Sequence, residues 1–165
     1  MRQQKREIVN DMKILVIYDS KTGNTQKMAE AIAEGAKEAG AEATVRKIGE
    51  PFPLTLLANY DGVAFGSPTR YADVTNDMKD FLAHIEDYVK LGKMKMKGRK
   101  AGIFGSYGYD GAWVMEERLR GYVTALGYTV DQKVCVKIDS EFKVRMKETF
   151  AECKAWGKEF VKSLK

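Results

Sequence analysis

Five consecutive apolar residues, Ile14 to Tyr18, open the patterned part of the chain. A run without alternation predicts a strand buried on both faces, as in a parallel sheet. The period then changes: Met28, Ile32 and Ala36 recur on one helical face, with Ala29 and Ala39 beside it. The same exchange repeats along the chain. Ala43 to Ile48, Val63 to Gly66, Lys100 to Gly105 and Tyr128 to Ile138 read as further strands. Between them lie a short helix over Leu54 to Tyr60, behind Pro53, and a helix over Thr75 to Val89 carrying Met78, Phe81, Leu82 and Ile85. A third helix shows Met115, Leu119, Tyr122, Val123 and Leu126 on one face and stops at Gly127. Phe142, Met146, Phe150, Cys153, Gly157, Phe160 and Leu164 mark the last. Strands alternating with helices predict an α/β protein whose parallel sheet is covered on both faces.

The patterned region, residues 13–165, makes one domain. Residues 1–12 are basic and polar, lack the apolar stretch of a secretory signal, and read as a frayed extension or an upstream start. With 44% hydrophobic and 31% charged residues the chain is globular in composition. No apolar run approaches the roughly 20 residues of a membrane span, and the default location is cytoplasmic. The formal charge of +5 favours acidic partners. No nucleic-acid motif accompanies it, so nucleic acid is not expected. Lys93, Lys95, Lys97, Arg99 and Lys100 cluster where the fourth strand begins and read as a solvated loop. Cys135 and Cys153 lack Cys-x-x-Cys spacing and read as buried apolar thiols. His84, the one histidine, is expected on a helix surface, which leaves no metal cluster and no Ser-His-Asp set.

Candidate chemistry begins in the loop after the first strand, Ser20-Lys21-Thr22-Gly23-Asn24-Thr25. Backbone N–H groups at a helix N-terminus have no intrahelical partner, and the helix dipole favours an anion there. The hydroxyls of Ser20, Thr22 and Thr25 add neutral donors, and Gly23 permits a tight turn. These features suit a phosphate. The alternative, less favoured, is ordinary capping by Thr22 or Thr25 with no ligand. The loop is neither a Walker sequence nor Gly-x-Gly-x-x-Gly.

Ser/Thr-x-Thr-Gly-x-Thr directly after a first strand resembles the phosphate loop of flavodoxins. Phe104-Gly-Ser-Tyr-Gly-Tyr109-Asp-Gly-Ala-Trp113 is similar to their fourth-strand segment, in which an aromatic stacks on the flavin ring. The resemblance covers Met12 to Lys165. It implies a flavodoxin-like doubly wound sandwich, a five-stranded parallel sheet of order 2-1-3-4-5, with FMN as cofactor. Ligands of such sheets bind beyond the carboxyl ends of the strands. By the same resemblance, Ser20, Lys21, Thr22, Gly23, Asn24 and Thr25 take the phosphate. Ser67, Pro68, Thr69, Arg70 and Tyr71 flank one side of the flavin, and Ser106, Tyr107, Gly108, Tyr109 and Asp110 the other. Tyr109 is the expected stacking wall; Tyr107 suits flavin contact and simple half-burial alike. Trp113 is assigned to helix packing.

The function implied is that of a flavodoxin, shuttling low-potential electrons between redox partners, here acidic and ferredoxin-like by charge, as a monomer or homodimer. The alternative is a flavodoxin-like NAD(P)H:quinone or flavin oxidoreductase. Gly66-Ser-Pro-Thr-Arg-Tyr71 resembles the Gly-x-Pro-Thr-Arg-aromatic pattern of those enzymes. Many flavodoxins have a glycine in this loop whose peptide flips to meet flavin N5–H. None lies between Gly66 and Gly92. Residues that resist left-handed backbone are expected to stabilise the one-electron-reduced flavin weakly.

Overall fold

The computed structural model describes residues 12–109 and 113–165. Strand β1 (Lys13–Tyr18) leads into helix α1 (Asn24–Glu38), then β2 (Glu42–Lys47) and a 3-10 turn over Leu54–Asn59. Strand β3 (Gly62–Pro68), helix α2 (Asn76–Lys90), strand β4 (Lys100–Tyr107) and helix α3 (Val114–Ala125) follow. Strands β5 (Thr129–Val130) and β6 (Cys135–Ile138) precede helices α4 (Glu141–Val144) and α5 (Met146–Ser163). All named pairings are parallel, in the order β2-β1-β3-β4-β5, with β6 also on β4. That is the doubly wound order expected from the resemblance.

Each central strand is buried on both faces, as its unbroken apolar run predicts. Ile14, Val16, Ala64 and Phe104 face α1 and α5, whereas Leu15, Ile17, Val63, Phe65 and Ile103 face α2 and α3. Small residues set the first layer. A Cβ on Gly102 would lie 2.6 Å from the Trp156 ring, and one on Gly62 would lie 2.7 Å from Leu164. The freed space holds Trp156 stacked on Phe160, with ring centroids 5.4 Å apart and planes 6° from parallel.

Two readings of the pattern change in detail. The fifth strand is split in two. From Val130 to Cys135 this chain advances five residues while its partner β4 advances only three, from Ala101 to Phe104. The surplus leaves the ladder at residues 131–134. Its carbonyls find side-chain donors instead: the Arg120 guanidinium reaches the oxygens of Asp131 and Gln132, both at 2.9 Å, and Trp156 Nε1 reaches Lys133 at 3.1 Å. The last helix is also broken, at Arg145, where φ is −139° and ψ 52°. The Thr149 hydroxyl donates to the carbonyls of Arg145 and Glu141 there. The break leaves Met146 half exposed, although its spacing assigned it to the buried face.

α1 and α5 touch backbone to backbone. A Cβ on Gly35 would sit 2.0 Å from the Lys154 carbonyl oxygen, and one on Gly157 would sit 2.2 Å from that of Ile32. Neither obstacle is a flexible side chain, so the helices must part. Gly157→Ala is therefore expected to lower unfolding free energy by about 1–3 kcal/mol in urea denaturation, despite alanine's better helix propensity.

Candidate functional site

β1, β3 and β4 run in one register to the same side of the sheet, β3 two and β4 three residues beyond the end of β1. Tyr18 pairs with Gly66, Gly66 with Phe104, and Pro68 with Ser106. Their following loops therefore leave the sheet at one edge. The Asp19 N–H donates to the Gly66 carbonyl (3.0 Å), and the Thr69 N–H to that of Ser106 (2.8 Å). The first and fourth-strand segments meet through the hydroxyls of Thr25 and Ser106, 2.8 Å apart and buried.

The first loop settles the choice of cap. α1 is capped by Gly23, at φ 99°, and makes no side-chain cap bond. Neither Thr22 nor Thr25 is the N-cap: Thr22 is exposed, and Thr25 lies in the first turn with its hydroxyl on Ser106. Ser20 Oγ accepts the Gly23 N–H at 3.1 Å, and no acidic residue occupies the first turn. The helix terminus is thus open to an anion. The Lys21 ammonium turns aside to Asp77, at 3.1 Å, and to Asp19, at 3.7 Å. Asn24 Nδ2 donates to Asp139 Oδ1 at 3.0 Å. Asp139 follows β6 and had no motif to announce it; only the sheet brings it beside this loop.

Ser67, Pro68, Ser106 and Tyr107, expected in loops, are the last residues of β3 and β4. Ser67 is fully buried. Its hydroxyl donates to the Pro68 carbonyl (2.8 Å) and accepts the Thr75 N–H (3.2 Å), fixing the start of α2. Thr75 Oγ1 then caps α2 by accepting the Met78 N–H. Thr69 Oγ1 is buried without a hydrogen-bond partner among the described residues. Arg70 is exposed, and Tyr71 and Tyr109 stand 100% and 98% exposed on the two sides of the edge. Tyr107 is half-buried and Gly108 exposed; Asp110 lies outside the described residues.

The loop after β3 reverses sharply without a glycine. Arg70 and Asp73 exchange both backbone hydrogen bonds (2.9 and 3.0 Å) around Tyr71 and Ala72, whose φ values are 53° and 60°. This tight reversal has positive φ at both central positions, the places usually filled by Asn and Gly. The absence of glycine therefore does not deny this loop left-handed backbone. Asp73 locks the turn: its carboxylate takes the Val74 N–H (2.7 Å), Lys79 Nζ (2.8 Å) and Arg118 (3.4 Å). Burial pushes this carboxyl up, but the Lys79 bond, the Val74 N–H and the two cations together hold it below the usual range. Lys21, Arg70, Asp73, Asp77, Lys79 and Arg118 line an adjoining open cleft of about 490 Å³.

Trp113 also departs from its assignment. It is the N-cap of α3, at φ 73°, with 61% of its surface exposed. Glu116 Oε2 accepts its N–H at 2.6 Å, while Glu116 Oε1 has no partner among the described residues and the residue is fully buried. Burial pushes the Glu116 carboxyl up, against the lowering effect of the hydrogen bonds it accepts.

A doubly wound parallel sheet with three loops gathered at its switch point defines the class of this protein. The family model for flavodoxin matches residues 16–156, and the chain belongs to the flavodoxin family. It is 33% identical over 118 residues to a protein of Archaeoglobus fulgidus named NAD(P)H dehydrogenase (quinone), across 57% of this chain and 59% of that one. The matched part thus spans little more than half of that relative. A flavodoxin from the domain Archaea superposes with a TM-score of 0.78 at 26% identity, covering 93% of this chain and 99% of that one. Oxidised flavodoxin 1 of Bacillus cereus gives 0.74 at 28% identity, with the same coverage.

Two outcomes are expected at the loops. Ala72→Gly removes left-handed strain and should raise unfolding free energy by up to about 1 kcal/mol in urea. Glu116→Gln keeps an acceptor for Trp113 and abolishes ionisation. Because the folded state raises this carboxyl, ionisation costs stability as pH climbs from about 4, the unfolded value, through the folded value. The variant should therefore gain on the wild type at pH 7 and lose that gain near pH 4, in denaturation at both.

Proposed function

We propose that the protein binds FMN at the edge formed by these three loops and carries electrons between redox partners. The meeting of the Thr25 and Ser106 hydroxyls supports this reading best, because it joins a phosphate-suited loop to a ring-suited one. In this reading, residues 20–25 surround the phosphate with the open N–H groups of α1 and nearby hydroxyls. The unpartnered Thr69 hydroxyl and the backbone of residues 67–70 meet the flavin edge. Tyr71 and Tyr109, both fully presented to solvent, close over the ring faces. The bound flavin supplies the redox chemistry; the chain binds and orients it. Helix dipole and neutral donors suffice for the phosphate, so Lys21 is free to remain on Asp77 and Asp19. No helix of the described residues is long and apolar enough to cross a membrane, and partners of acidic surface fit the charge of +5.

A second reading, an FMN-dependent NAD(P)H:quinone oxidoreductase, is favoured by the name of the Archaeoglobus fulgidus relative. Arg70 and the neighbouring cleft, lined by Lys21, Lys79 and Arg118, are where a dinucleotide would enter in that case.

Anaerobic mixing of the FMN-loaded protein with NADPH or NADH, followed by absorbance, separates the two. The carrier reading expects no reduction until dithionite is added; rapid bleaching by the nicotinamide would establish the enzyme. Thr22→Val tests the site itself. Losing one donor to phosphate should weaken FMN about tenfold, measured by fluorescence quenching, and leave riboflavin binding unchanged.

A further inference from the structure

Cys135 and Cys153 are eighteen residues apart in sequence, yet their sulfurs lie 3.8 Å apart. Cys135 is on β6 and Cys153 on α5, and both thiols are free and buried. A disulfide needs about 2.05 Å between sulfurs, so closing the gap takes a shift of less than 2 Å. A second link already fixes these elements beside the thiols. Lys137, two residues along β6, holds Glu152, the neighbour of Cys153, at 2.7 Å. Arg145 engages the same Glu152 and, at 3.0 Å, Glu141. The strand and helix are therefore held in register at the point where the sulfurs meet.

Access is uneven. Cys153 is fully enclosed, whereas Cys135 keeps 5% of its surface on a four-residue strand paired, among the described residues, with β4 alone. A short edge strand opens more easily than the centre of a sheet. Contact with Cys153 and burial push the Cys135 thiol up, and the Lys137 charge opposes them. Reaction from the closed state is accordingly slow, and opening at β6 sets its rate.

We propose that Cys135 and Cys153 form a reversible intramolecular disulfide, a redox modification site between β6 and α5. With hydrogen peroxide as oxidant, the Cys135 thiolate attacks one peroxide oxygen and breaks the O–O bond. Cys135 becomes a sulfenic acid, and water leaves once the proton is returned. The Cys153 sulfur then attacks the sulfenic sulfur, the S–O bond breaks, and a second water leaves with the Cys153 proton. The two thiols lose two electrons in total and the peroxide gains them. The second step is intramolecular between groups already in contact, which favours it over further oxidation of Cys135. The bridge would staple β6 to the body of the protein just before Asp139, the residue that holds Asn24 of the first loop.

The test uses the full chain without flavin, so that it stands apart from the proposed cofactor. Purified protein is treated with hydrogen peroxide, unfolded, alkylated with iodoacetamide and weighed intact. The expected product is monomeric, about 2 Da lighter than the reduced protein, takes up no alkyl group, and recovers both thiols with dithiothreitol. It should also melt higher than the reduced form. In Cys153→Ala, Cys135 should halt at the sulfenic acid and take up dimedone, which the wild type does not. Two alkylatable thiols after peroxide, a disulfide-linked dimer, or a sulfinic acid on the wild-type Cys135 would each overturn the proposal. Because the decisive mass is read on the wild type, a variant that fails to fold does not rescue it.

Discussion

The alignment of β1, β3 and β4 is the constraint on which the site depends. Tyr18, Gly66 and Phe104 lie level across the sheet, so the loops that follow have one place to go. Gly66 makes the level fit possible. The Phe104 ring occupies the space a Cβ there would need, with only 2.1 Å available. A larger residue would displace Phe104 and, one residue beyond it on each strand, the ladder between Ser67 and Gly105. Thr25 and Ser106 meet because this layer is in register. Loop chemistry here is thus a consequence of core packing.

Most of that frame could be read from the chain because it rests on local signals. Unbroken apolar runs name buried strands, and spacings of three and four name the helices. Asp139 illustrates what such signals omit. A lone aspartate after a strand has no spacing to single it out; its bond to Asn24 spans 115 positions of sequence. The broken fifth strand and last helix fail for a related reason. The strand is interrupted where side chains from other elements, Arg120 and Trp156, take its carbonyls, and the helix where Thr149, one turn along, takes those of Arg145 and Glu141. Apolar periodicity runs straight through them.

The loops also spend backbone strain where the site lies. Tyr71, Ala72 and Trp113 are the non-glycine residues with positive φ among those described, and all three border the edge where the strands end. Each such residue costs on the order of 1–2 kcal/mol. Each is held from below by a carboxylate: Asp73 closes the turn at Tyr71 and Ala72, and Glu116 takes the Trp113 N–H. Reading left-handed backbone from glycine alone misses this arrangement, because the conformation is imposed by hydrogen bonds and ion pairs. Thr69, adjacent to the turn, keeps a buried hydroxyl without a partner among the described residues, so the strained segment still has hydrogen-bonding capacity.

Charge is distributed against the total. The basic run at Lys93 to Lys100 stands at the amino end of β4, a strand's length from the loops. Around the loops, Lys21, Lys79 and Arg118 are tied to Asp19, Asp73 and Asp77. Screening over about 8 Å at physiological salt separates the two regions. A partner drawn in by the net charge would therefore be oriented by the far rim as much as by the candidate site. At the site it would meet paired charges, the exposed Arg70 and two exposed tyrosines. Productive docking there has to come from contact with those rings and the surrounding hydrogen-bonding groups, with long-range attraction contributing mainly to the encounter.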